Sequence, residues 1–110
     1  MRRGKEIAQG AHASMCFLST HLADGGTYEE LPNVAQLWLQ GLFTKVVCRV
    51  DSEEELLLLH TKAIESEIMS CLITDAGKTE FDGTATHTAV ALGPEWSEKL
   101  DEITGHLTLY

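Results

Sequence analysis

The sequence predicts a single α/β domain of mixed sheet with helices on both faces. Three observations carry this: helical and strand-like patterns alternate along the chain, a capped helix directly follows a valine-rich alternating segment, and no repeat or low-complexity tract marks a second unit. At 110 residues the chain suits one domain, residues 1–110, and can bury a core without disulfides or structural metal.

The elements follow in order. Ile7, Ala8, Ala11, Met15 and Leu18 recur at helical spacing, so residues 7–18 should form an amphipathic helix with these side chains as its packing face. Lys5, Gln9, His12 and Cys16 form a second row on the same helix, and Asp24-Gly25-Gly26 ends it. A second helix is expected from about Asn33 to Gln40, with Thr27 to Glu30 as a weaker capping-box start and Pro32 between them. Residues 44–50 alternate, with Val46, Cys48 and Val50 on one face, which reads as a strand. Ser52-Glu53-Glu54-Glu55 then opens a helix through Leu56, Leu59, Ala63 and Ile64. Cys71-Leu72-Ile73 is a short buried strand that leaves by the loop Asp75 to Thr79. Residues 86–92 form the next strand, closed by Gly93-Pro94, and a final helix runs from about Glu95 to Ile103. Three strands are evident in all.

Charge and composition remove several function classes. The net charge of -9 argues against a protein that coats nucleic acid, because phosphate affinity comes mainly from Lys and Arg displacing counterions. Arg2, Arg3 and Lys5 form the densest positive cluster, which composition alone reads as a solvated terminus. The start resembles the charged end of a signal peptide, but Glu6, Gln9 and His12 interrupt the apolar run, and no apolar stretch reaches membrane-helix length. Three scattered cysteines, Cys16, Cys48 and Cys71, suit reduced thiols in a cytoplasmic protein rather than a disulfide framework or zinc ribbon. The five histidines make no HxH or HExxH set, so no metal site is expected, and no serine sits in GxSxG. Gly77-Lys78-Thr79 lacks the upstream glycine of a P-loop, since Leu72 stands there. A Cys16–His12 nucleophile is a weaker reading than packing for both residues.

Asp75 remains as the first chemical candidate, because ligands of open α/β sheets bind outside the carboxyl ends of strands. On position alone, an ordinary turn aspartate is an equal reading.

The motifs together resemble a known family. Residues 4–13, GKEIAQGAHA, are similar to the GKxxAQxxHA segment of the second class of peptidyl-tRNA hydrolases. Asp75 to Thr79 resembles its DAG(K/R)T loop, Gly83 to Thr86 its GTxT strand entry, Ala91 to Pro94 its AIGP end, and Ile103 to Leu107 its closing helix and tail. The matches run in family order along nearly the whole chain. The resemblance implies a four-stranded mixed sheet and an esterase that cleaves the bond between a peptide and tRNA without metal or organic cofactor. It places Lys5, Gln9, Asp75, Thr79 and Thr86 at the active site, with peptidyl-tRNA as the partner and no membrane. Arg2, Arg3, Lys5 and Lys78 are the expected RNA contacts. In this reading Asp75 orients or deprotonates water, Lys5 faces an oxyanion or phosphate, and Gln9, Thr79 and Thr86 donate positioning hydrogen bonds.

Two departures from the family pattern set further expectations. Members carry an apolar strand just before the Gly-Lys segment, and this chain begins at Met1 without one. The segment 41–45 also lacks the glutamine that follows the glycine in the family. An uncovered sheet edge would expose unpaired backbone groups and favour a homodimer or other self-association through that edge. A non-catalytic adaptor retaining the hydrolase fold is the competing class, and it is disfavoured by the presence of Lys5, Asp75 and Thr79.

Overall fold

Why a 21-residue helix opens the chain is plain from its ends. The computed structural model describes residues 2–75 and 85–110; helix α1 spans Arg3–Ala23 and stops where Gly25 takes φ +83°, the left-handed conformation that closes helices and suits glycine. Thr27 and Glu30 form a reciprocal cap, but on a short 3-10 turn, Tyr28–Glu30. The Thr27 N–H donates to the Glu30 carboxylate at 2.8 Å, which chiefly holds that carboxyl below its ordinary pKa. Pro32 then starts helix α2, Asn33–Gln40, within the expected bounds, and the Trp38 ring lies against Phe17 of α1 at 6.0 Å.

Helix α3, Glu53–Glu65, is capped as its sequence demands: the Ser52 hydroxyl accepts the Glu55 N–H at 3.1 Å, and three glutamates occupy the first turn. Ser52→Ala should therefore destabilise the protein by about 1 kcal/mol. Its melting temperature should fall by roughly 4–8 °C while activity is retained; an unchanged melting curve would show the cap to be dispensable.

Strand β1, Ser70–Asp75, pairs antiparallel with strand β2, Thr86–Leu92, and helix α4, Ser97–Thr104, follows. The two helices cover opposite faces of this pair. On one face Cys16 of α1 is bonded to Cys71, and Lys5 and Gln9 reach Asp75. On the other, His60 of α3 contacts Ser70 at 2.7 Å, and the Glu53 carboxylate accepts the His87 N–H at 2.8 Å. Residues 71 and 75 thus point to α1 and residue 70 to α3, as strand alternation requires. The main core lies on the α3 side, where Leu59, Ala63, Ile68 and Ile103 pack together with Val50, Leu92, Leu100 and Leu107 around them.

Four expectations change. Residues 44–50 are not a strand among the described residues. They make an isolated antiparallel bridge, Cys48 to Leu109, flanked by bonds from Arg49 N–H to Thr108 and from Tyr110 N–H to Val47. Alternation alone does not make a strand without a ladder to join, and Val46 and Val47 stay exposed. The described sheet therefore has two strands rather than three. The apolar row of α1 is not its packing face: Ile7 is 66 % and Met15 63 % exposed, while the opposite row, with buried Ala13, lies on the sheet. His12 is exposed rather than packed. Cys16 and Cys71, expected as thiols, form a disulfide, because the helix row and the strand face bring together residues 55 positions apart. Cys48 remains free.

Candidate active site

Lys5 and Gln9 stand one helical turn apart, so both side chains leave α1 in the same direction. They converge on Asp75, the last residue of β1. Lys5 Nζ lies 3.0 Å from Asp75 Oδ2, and Gln9 Nε2 donates to the same oxygen at 3.3 Å. The Asp75 side chain is only 6 % exposed and that of Lys5 25 %, so this is a largely desolvated ion pair with one end open to solvent. A carboxylate at that depth needs donors around it, and the helix row supplies them.

Gln9 is itself oriented. The Thr88 hydroxyl donates to Gln9 Oε1 at 3.1 Å, which turns the amide nitrogen toward Asp75. Thr88 was not among the residues singled out from sequence. Its signal was the alternation Thr86-His87-Thr88, which sets both threonines on one side of a strand.

A break in the ladder decides which side that is. Ile73 pairs with Ala89 but Thr74 pairs with His87, which leaves Thr88 as an extra residue in β2. The shift sets Thr86 directly opposite Asp75, and directly opposed residues share a face. An uninterrupted register would put His87 opposite Asp75 and send Thr86 to the α3 side. Instead His87 pairs with Thr74 there, its Nδ1 3.0 Å from the Thr74 hydroxyl.

Of the sequence-derived residues, Lys5, Gln9, Asp75 and Thr86 are thus gathered at one end of the α1–sheet contact. Arg2 and Arg3 lie at the start of α1, close in sequence to Lys5. Thr79 and Lys78 lie outside the described residues. A shallow recess of about 230 Å³ lies elsewhere, lined by Arg49, Val50, Asp51 and Tyr110. The Glu6 carboxylate beside the Tyr110 hydroxyl pushes that phenol above its ordinary pKa and ties the tail to α1. Among the described residues, no three His, Cys, Asp or Glu side chains gather as a metal site, and no helix is long and apolar enough to cross a membrane.

A carboxylate, an ammonium, a primary amide and hydroxyls converge at a strand end of an α/β scaffold, groups chemically able to accept a proton, to face an anion and to donate hydrogen bonds. Comparison with known proteins gives the family. The chain matches the family described as Peptidyl-tRNA hydrolase PTH2 over residues 1–110. It is 41% identical over 110 residues to the peptidyl-tRNA hydrolase of Methanocaldococcus jannaschii, covering 99% of this chain and 89% of that protein. It is 41% identical over 111 residues to that of Aeropyrum pernix, covering 100% and 86%. A probable peptidyl-tRNA hydrolase 2 of Drosophila melanogaster is 31% identical over 113 residues, covering 99% of this chain and 55% of that longer protein. The chain belongs to the peptidyl-tRNA hydrolase PTH2 family. It is accordingly a hydrolase acting on an ester bond, that between peptide and tRNA.

Proposed function

We propose that Asp75, Lys5 and Gln9, with Thr86, Thr88 and Thr79, carry this hydrolysis and release free tRNA for reuse in translation. The observation that carries the reading is the convergence of Lys5 and Gln9 on one oxygen of a buried Asp75. In the reaction, water oxygen bonds to the acyl carbon and its proton passes to Asp75. The bond from the acyl carbon to the terminal ribose oxygen breaks, and that oxygen takes up a proton. Lys5 has three donor hydrogens, so one ammonium can bridge the Asp75 carboxylate and the oxyanion that develops on the acyl carbon. Gln9, oriented by Thr88, keeps the carboxylate aimed, and the threonine hydroxyls position the ester.

Arg2, Arg3, Lys5 and Lys78 are the RNA contacts in this reading, a short positive edge on an otherwise acidic body that neutralises a few phosphates near the acceptor end. The protein acts in the cytoplasm, where its substrate is made. A second copy of the chain is the partner suited to the outer row of α1, where Ile7, Met15 and Leu22 are all more than half exposed.

The test is release of tRNA from peptidyl-tRNA whose peptide amino end is blocked. Purified protein should liberate free tRNA and peptide acid, with turnover that continues in the presence of a chelator. No release from this substrate would refute the reading.

A further inference from the structure

Helix α1 is joined to the sheet at two separated points. At its N-terminal end Lys5 and Gln9 engage Asp75; farther along, Cys16 is bonded to Cys71 with Cα atoms 6.2 Å apart. The step from Lys5 to Cys16 is about 16 Å of helix, and that from Cys71 to Asp75 is about 13 Å of strand. The two attachments therefore pin opposite ends of a single helix–strand contact.

Little apolar burial holds the helix between them. Of the residues in α1 only Ala13 is buried; Phe17 and Leu18 are half-buried, and Ile7, Met15 and Leu22 face outward at 66 %, 63 % and 58 % exposure. The covalent link therefore adds materially to a modest apolar contact in docking α1, and α1 carries Lys5 and Gln9, which engage Asp75.

We infer that the Cys16–Cys71 disulfide is a redox clamp that governs whether Lys5 and Gln9 are held over Asp75, and hence regulates hydrolysis. The inference rests on the hydrolase reading of that cluster. Both sulfurs belong to half-buried rather than fully buried residues. In a cytoplasmic protein such a bond is more often redox-sensing than structural.

The chemistry balances by thiol–disulfide exchange. A thiolate of glutathione or of a dithiol reductant attacks one sulfur, the Cys16–Cys71 bond breaks, and a mixed disulfide forms. A second thiol displaces it, leaving two protein thiols and one oxidised reductant, with two electrons and two protons transferred to the protein. Glutathione disulfide closes the clamp by the reverse steps. Cys48, a free thiol on a different segment, serves as an internal control.

The experiment equilibrates the full chain in glutathione buffers of stepped reduced-to-oxidised ratio. Free thiols are counted by alkylation and mass spectrometry, amide hydrogen exchange is followed across α1, and kcat and KM are measured on blocked peptidyl-tRNA. One alkylated cysteine is expected in the closed form and three in the open form. Opening should speed exchange in α1 by roughly tenfold or more while the β1–β2 amides change little. It should lower kcat by about tenfold, with a smaller change in KM, because the donors on α1 lose their placement; reoxidation should restore both. Cys16→Ser and Cys71→Ser, each with two alkylated cysteines in every buffer, should match the open form in exchange and kcat, and Cys48→Ser, with none closed and two open, should match the unmodified protein in both. If a serine variant fails to fold, the comparison of open and closed native protein decides. Equal exchange and equal kcat in forms with different thiol counts would overturn the clamp, as would three alkylated cysteines at every ratio. Absence of hydrolysis in both forms would instead overturn the hydrolase reading, and the exchange data would then judge the clamp alone.

Discussion

Asp75→Asn is expected to lower kcat/KM for peptidyl-tRNA by roughly 100-fold to 10,000-fold, the usual worth of a positioned acid–base group. The substitution keeps the shape of the side chain and an oxygen to accept from Gln9, but it removes the charge that takes a proton from water. The fold should survive. The Lys5 side chain is already 25 % exposed, so its ammonium can turn to solvent when the carboxylate is gone. A kinetic assay paired with a thermal melt separates the two effects. Turnover within threefold of the unmodified protein would reduce Asp75 to a turn residue.

Lys5→Met should cost about 100-fold to 1,000-fold in kcat, the range for removing one charged donor from an oxyanion. Unlike the aspartate change, it should also destabilise the protein. Asp75 sits at 7 % exposure and would lose the ammonium 3.0 Å from its carboxylate. Because one end of the pair is open to water, the loss should fall below that of a fully buried pair, at about 1–3 kcal/mol. The double variant Lys5→Met with Asp75→Asn discriminates between mechanisms: it should recover much of the stability while remaining inactive, since the desolvated charge is gone but so is the chemistry. Stability losses that simply add would show that the two side chains are not coupled.

These two residues illustrate how far local pattern reaches. The placement of Lys5 and Gln9 on one row of a helix follows from 3.6-residue periodicity, and that of Asp75 at a strand end follows from the short apolar run before it. The Asn33–Gln40 helix and the Ser52 cap were equally legible, because caps and prolines act within four residues of themselves. The motif order along the chain carried the family, and with it the reaction.

What periodicity could not decide is which face of α1 would meet the sheet. The apolar row from Ile7 to Met15 has the stronger hydrophobic signal, yet the row with Lys5, Gln9 and Cys16 is the one that docks. Its hold depends on an ion pair, hydrogen bonds and a disulfide to β1, all with partners more than fifty positions away, which no local window can register. The same limit applies to residues 44–50, whose alternation is that of a strand but whose pairing depends on what lies beside them.

The sequence by itself determined the α/β class, most helix bounds, the family, and the residue types that meet at the site. Only the tertiary structure decided the closure of Cys16 on Cys71, the outward turn of Ile7 and Met15, and the role of Thr88 beside Gln9. The reason in each case is long-range pairing: the docked face of α1 is set by partners on β1 more than fifty positions away, and the side that β2 turns to Gln9 is set by one extra residue that only the pairing of β1 with β2 reveals.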